Sequence, residues 1–208
     1  MRRILLAASA IAMLSFGAAR ASTVVDPVGD FLPSFIGSHD ADLDVTLFSV
    51  AYDPVAAAFH LSARLAGAID PSKAGLYVIG VNTGTGPIRP FASIGEGNVI
   101  FNQAIVIRKT GIGAVSGHAL LATIAGDQFS VIVPLAFLPS TGFAPKNYGF
   151  NLWPRNGTGK NSQISDFAPE NRNLASVPEP ATWAMMLAGF GLAGGALRRR
   201  TRRLAPAA

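Results

Sequence analysis

Five aspartates crowd the start of the chain: Asp26, Asp30, Asp40, Asp42 and Asp44. A hard cation such as calcium takes six to eight oxygens, and closely spaced carboxylates with the carbonyls of intervening turns can supply them. The set is not an EF-hand. Counted from Asp40, Val45 stands where the obligatory glycine belongs and Ala51 where the bidentate acid belongs. A second reading is open at the same residues. If Leu43 and Val45 face a core, Asp42 and Asp44 share the outer face of a strand, where charge protects a sheet edge without binding anything.

Other chemistry-bearing residues are sparse. Phe91, Trp153, Tyr77 and Tyr148 are suited either to a sugar-stacking platform or to a core. His39, His60 and His118 lie far apart in sequence, without the close spacing of a zinc-binding helix. No nucleophile-elbow motif is present to assemble a Ser-His-Asp set. Gly111, Gly113 and Gly117 miss the dinucleotide spacing and no helical pattern follows them, so that stretch reads as a flexible hairpin loop. Asn156-Gly157-Thr158 is a formal glycosylation sequon that marks an exposed turn. The chain has no cysteine, hence neither a disulfide framework nor a thiolate centre. The expectation is a non-catalytic protein with no cofactor other than calcium.

The elements that must position these residues are short. Runs rich in Val, Ile, Phe and Tyr predict strands over Leu43–Val50, Ala58–Leu65, Gly75–Val81, Asn98–Ile107, His118–Ile124, Gln128–Leu135 and Tyr148–Trp153. Period-two alternation puts Leu43, Val45 and Leu47 on one face, and likewise Phe59, Leu61, Ala63 and Leu65, or Phe129, Val131, Val133 and Leu135. Asp53-Pro54, Asp70-Pro71, the 82–87 stretch, Gly95-Glu96-Gly97, Gly111–Gly117 and Gly126-Asp127 break the runs. The alanines at 56–58 leave a helix over 56–65 as the competing assignment. Many short strands with frequent turns predict an all-β fold, an antiparallel β-sandwich or jelly roll.

The two ends carry different signals. Arg2 and Arg3, an uncharged run over 4–19 and the Ala19-Arg20-Ala21 triplet form a secretory signal peptide, with cleavage before Ser22. At the far end residues 181–197 hold no charge, and Arg198, Arg199, Arg200, Arg202 and Arg203 follow directly. Seventeen residues in a helix span about 25 Å, enough to cross a bilayer core. The arginines resist translocation, which puts the tail inside and the domain outside. The organisation expected is a signal peptide over 1–21, a secreted domain over 22–172, an extended linker over 173–180, a transmembrane helix over 181–197 and a basic cytoplasmic tail over 198–208. In the linker, Pro178 and Pro180 remove two amide donors and hold the backbone extended.

Charge falls in line with this division. The chain as a whole is +5, yet residues 22–172 hold nine Lys/Arg against eleven Asp/Glu, a net of −2. The basic excess belongs to the ends, so nucleic acid is not an expected partner.

Val177-Pro178-Glu179-Pro180-Ala181-Thr182-Trp183-Ala184-Met185-Met186-Leu187-Ala188-Gly189-Phe190-Gly191, followed by small residues and arginines, resembles the PEP-CTERM sorting signal. Within it Pro178, Glu179, Pro180 and Trp183 carry the pattern; the five residues after Arg203 extend past the usual end. The resemblance implies recognition by an exosortase, a membrane-embedded enzyme of Gram-negative bacteria, and an association with exopolysaccharide and biofilm. In the middle of the chain, Asp26-Pro27-Val28-Gly29-Asp30, Asp42-Leu43-Asp44-Val45, the 76–84 run and Val133-Pro134-Leu135 are similar in order to bacterial DOMON-like and carbohydrate-binding β-sandwiches.

Taken together these readings lead to an exported protein with signal peptidase, an exosortase-type enzyme, the membrane and extracellular polysaccharide as partners. It is anchored in the inner membrane with its domain on the periplasmic side, then sorted to the cell surface or matrix. The expected role is structural; the alternative is a specific carbohydrate- or calcium-binding module.

Overall fold

The computed structural model describes residues 21–176. The signal-peptide cleavage residue Ala19 and the apolar run upstream of it lie outside that range, as do Pro178, Glu179, Pro180, Trp183, the apolar run over 181–197 and the five arginines. Among the described residues no helix is long and apolar enough to cross a membrane.

Among the described residues eleven strands form two antiparallel sheets, as alternating apolar runs separated by turns favour. The first sheet orders β1 (Ser22–Val25), β2 (Val45–Asp53), β3 (Ala58–Leu65), β9 (Gln128–Pro134) and β8 (Thr123–Ala125) side by side. The second orders β11 (Leu174–Ala175), β10 (Gly149–Arg155), β4 (Leu76–Asn82), β5 (Gln103–Arg108), β6 (Ile112–Val115) and β7 (His118–Leu121). Among the described residues the only helical turns are three-residue 3-10 segments. Ala58–Leu65 is a strand; helix propensity at the alanines yields to the burial of Phe59, Leu61, Ala63 and Leu65 against the other sheet.

The main core lies between the inner faces. Phe48, Val50, Phe59, Leu61, Phe129, Val131 and Val133 from the first sheet meet Tyr77, Ile79, Val81, Ile105, Ile107, Phe150 and Leu152 from the second. A second core covers the outer face of the second sheet, where Leu76, Val78 and Trp153 are roofed by Leu32, Phe35, Phe91, Val99, Ile164 and Phe167 from loops. Gly80 on that face makes room for the roof: a Cβ there would stand 2.6 Å from the Trp153 ring. The second sheet is therefore buried on both faces around β4, and its strand reads as the continuous run Leu76-Tyr77-Val78-Ile79 for that reason.

Four sequence expectations change. A bulge between Val45 and Leu47 shifts the register, so Leu47 leaves the core and Phe48 enters it. Residues 41–43 form a 3-10 turn and not the start of a strand, which buries Asp42 and Asp44 at 3% exposure each instead of lining them along a solvent face. The glycine-rich 111–117 stretch is mostly β6, with only Ser116 and Gly117, both at positive φ, making the two-residue turn to β7. Residues 173–176 are not free linker: Leu174–Ala175 pair with β10, and Ser176 is buried, its N–H donating to the Tyr148 carbonyl at 3.0 Å.

Candidate functional site

The fold divides the five sequence-nominated aspartates into separate groups. Asp40 sits at the domain surface and accepts a 2.6 Å ion pair from Lys73, which holds its carboxyl below the usual range. Asp42 is buried and takes Lys109 Nζ at 2.6 Å, with the Asp70 N–H donating to the same oxygen at 3.0 Å. Neither is available to a cation with the others. Asp26, Asp30 and Asp44 remain together, and the fold adds a fourth carboxylate, Asp166, from the far end of the domain.

Each is placed by a local cause. Asp26 follows edge strand β1, its N–H bound to the Thr46 carbonyl at 3.0 Å, and Pro27 ends the strand there. Gly29, at φ +84°, turns the loop so that its N–H donates to Asp44 Oδ2 at 2.8 Å. Asp166 lies in the segment after β10; its Oδ2 accepts from the Val45 N–H at 2.7 Å and its Oδ1 from the Phe167 N–H at 2.6 Å. Neighbouring Ser165 donates its hydroxyl to the Leu43 carbonyl at 2.7 Å, and Leu32 N–H closes back onto the Ser165 carbonyl at 2.8 Å.

The result is a dense negative site. One carboxylate oxygen each from Asp26, Asp30 and Asp166 lie within 4.8 Å of one another. Asp26 Oδ2, Asp30 Oδ1 and Asp44 Oδ1 are buried with no hydrogen-bond partner. Burial pushes the Asp26 carboxyl up to about 7, and the charges of Asp30, Glu170, Asp44 and Glu96 push it the same way. Burial likewise raises Asp166 to about 8, against the pull of its backbone hydrogen bond from Val45. Asp44 is raised by burial as well. Sequence reasoning missed Asp166 because it stands between Ser165 and Phe167, apart from the other aspartates and more than a hundred residues from the loop it joins.

A second feature lies on the outer face of the first sheet. Thr23, Ser49, Ser62, Ser130 and Thr123 stand opposite one another across its five strands, a continuous row of hydroxyls. Thr23 and Ser49 hydrogen-bond at 3.1 Å. Ser49, Ser62, Ser130 and Thr123 of this row, together with His60, Ile132 and Leu121, line a groove of about 450 Å³. Ile132 and Leu121 are exposed.

The aromatic platform is excluded. Trp153, Tyr77, Tyr148 and Phe91 are all buried, between 0% and 4% exposed, and serve the two cores. His39 stacks on Phe31 and His118 on Phe137.

Comparison with curated proteins and with solved structures gives no match. One family does match, described as the PEP-CTERM protein-sorting motif, over residues 176–200. By that match the chain carries a PEP-CTERM protein-sorting motif, which implies export, membrane-anchored sorting to the cell surface and processing by an exosortase-type enzyme.

Proposed function

We propose that this is a non-catalytic surface protein, exported through a cleaved signal peptide, held in the inner membrane by residues 181–197 with its β-domain on the periplasmic side, and passed to the extracellular matrix. The observation that carries the reading is the sorting motif over 176–200. Its proline pair and acid supply an extended recognition point, its apolar run a membrane-spanning segment, and its arginines a stop. In the matrix the domain contributes bulk and contact with exopolysaccharide.

A second reading, a specific carbohydrate-binding module, is favoured by the hydroxyl-floored groove. Hydroxyls at the strand spacing of about 4.8 Å offer donors and acceptors along a line, as a polyhydroxylated chain requires. The two readings share one polymer and differ in whether the groove is needed to hold it.

The test of sorting is a blot of the native host expressing the wild type and a Pro178→Ala/Pro180→Ala variant. The variant regains two amide donors and helix propensity at the recognition point. It is expected to accumulate in the membrane at full length while the wild type is shortened. Equal processing of both would reduce the tail to a plain anchor.

A further inference from the structure

We propose that Asp26, Asp30 and Asp166 bind one calcium ion, which fastens the first loop of the domain to the segment leading into its last strand. The geometry supplies the donors: one oxygen from each carboxylate, all within 4.8 Å of the others. An independent observation points to a missing partner. Asp26 is only 7% exposed, and its Oδ2 is buried with no hydrogen bond. A carboxylate desolvated this way takes up either a proton or a cation, because holding its charge uncompensated costs several kcal/mol. Lys73 and Lys109 are engaged by Asp40 and Asp42, and the charges that act on Asp26 are all acidic.

The donor set also selects the metal. It is all oxygen, with neither thiolate nor imidazole in the group, which disfavours zinc and copper. Two carboxylates from one loop and a third from the segment after β10 make an irregular donor set, which suits the flexible shell of calcium better than the strict octahedron of magnesium. Asp44 acts as a positioning residue. Its hydrogen bond to the Gly29 N–H holds the 26–30 turn over the site, and its free Oδ1 adds negative field. Asp166 is already oriented by the Val45 and Phe167 amides, so the ion meets a preformed arm on one side and a turn on the other.

The binding couples the two ends of the domain. The loop carrying Asp26 and Asp30 follows edge strand β1, while Asp166 precedes β11, the strand that runs into the sorting motif. A cation there ties down both edge strands at once. Affinity in the range of extracellular modules, on the order of 10⁻⁴–10⁻³ M, is expected for a site with three carboxylates partly open to water.

The experiment uses the full chain purified in detergent, stripped with chelator and titrated with calcium chloride, followed by calorimetric binding and thermal unfolding. One site is expected, with a melting temperature about 5–10 °C higher at a hundredfold excess over Kd. Asp30→Asn is the main variant, since Asp30 is half-buried and its Oδ1 holds no hydrogen bond the fold depends on. It is expected to weaken binding at least tenfold while melting no lower than the wild type in chelator. Asp166→Asn is expected to lose binding too, and Asp40→Asn to retain it. Absence of a calcium-dependent shift, undiminished binding by Asp30→Asn, or loss of binding in Asp40→Asn would each overturn the assignment. An equal response to magnesium would overturn the choice of calcium.

Discussion

Removing the ammonium group opposite Asp42 tests the division of the aspartates most directly. Lys109 Nζ and Asp42 Oδ2 are 2.6 Å apart, with side chains 2% and 3% exposed. The Lys109 stem lies against the backbone at Gly75, where a Cβ would stand 2.5 Å from its Cε. Lys109→Met keeps most of that stem and deletes the charge. What remains is a buried carboxylate with the Asp70 N–H as its hydrogen-bond donor and no counter-charge. Breaking a buried pair from one side costs about 3–5 kcal/mol. For a domain of this size each kcal/mol moves the melting temperature by about 2–4 °C, so the variant should melt about 6–20 °C lower. The double variant Asp42→Asn/Lys109→Met removes both charges and should recover most of the loss. Differential scanning calorimetry of the wild type, both single variants and the double variant closes the cycle. Additive effects, or a Lys109→Met domain melting within about 1 °C of wild type, would refute the buried-pair reasoning. Calcium binding by Asp42→Asn should match the wild type, because Asp42 is committed to Lys109.

Three further outcomes are expected. In chelator, stability should fall as pH rises from about 5 to 8. Folded Asp26 and Asp166 hold protons up to about 7 and about 8, whereas the unfolded chain releases them near 4, so the folded state loses its advantage as pH climbs through those values. Melting scans across that range settle it, and a flat or rising profile would contradict the burial argument. Gly80→Ala drives a methyl into the Trp153 ring and Phe101 Cβ, and overpacking of this kind should cost about 1–3 kcal/mol in denaturant melts; a neutral result would mean the ring has room to slide. Ser62→Trp fills the middle of the hydroxyl row from the solvent side. It should abolish co-sedimentation with exopolysaccharide at unchanged melting temperature, and retained co-sedimentation would leave bulk association as the role.

Strands that alternate were legible in advance because burial on one face writes a period of two into the residues. β3 and β9 lie within a residue of where Phe59-Leu61-Ala63-Leu65 and Phe129-Val131-Val133 place them. β6 was not legible, since Gly113 sits where a Cβ would meet the Val106 carbonyl at 2.8 Å, and glycine chosen for close approach looks like a turn residue. β1 and β11 are four and two residues long and exist by pairing with β2 and β10, a long-range fact with no local signature. The candidate site was half legible. Asp26 and Asp30, both nominated from the sequence, do come together, but charge pairing with Lys73 and Lys109 removed Asp40 and Asp42 from the group, and only tertiary packing could supply Asp166. The aromatics show the limit from the other side. Trp153 and Phe91 look like surface ligands in a polar-looking neighbourhood until the loops that roof the second sheet are known.

The burial of Ser176 sets a clearance. That residue is clamped to the Tyr148 and Pro145 carbonyls at 3.0 Å each, and one residue, Val177, separates it from Pro178. From Ser176 to Ala181 the backbone takes five steps, which even fully stretched reach no more than about 18 Å. A domain of this length has a radius of gyration of about 15 Å. On the proposed topology the leash is thus about as long as that radius, and the domain rides close above the lipid with the end of β11 facing down. A processing enzyme has no slack to draw the peptide away from the fold. On that topology its active site would have to be shallow and near the membrane surface, or to admit the 145–148 turn along with the peptide, and folded shape as well as sequence would then bear on this sorting step.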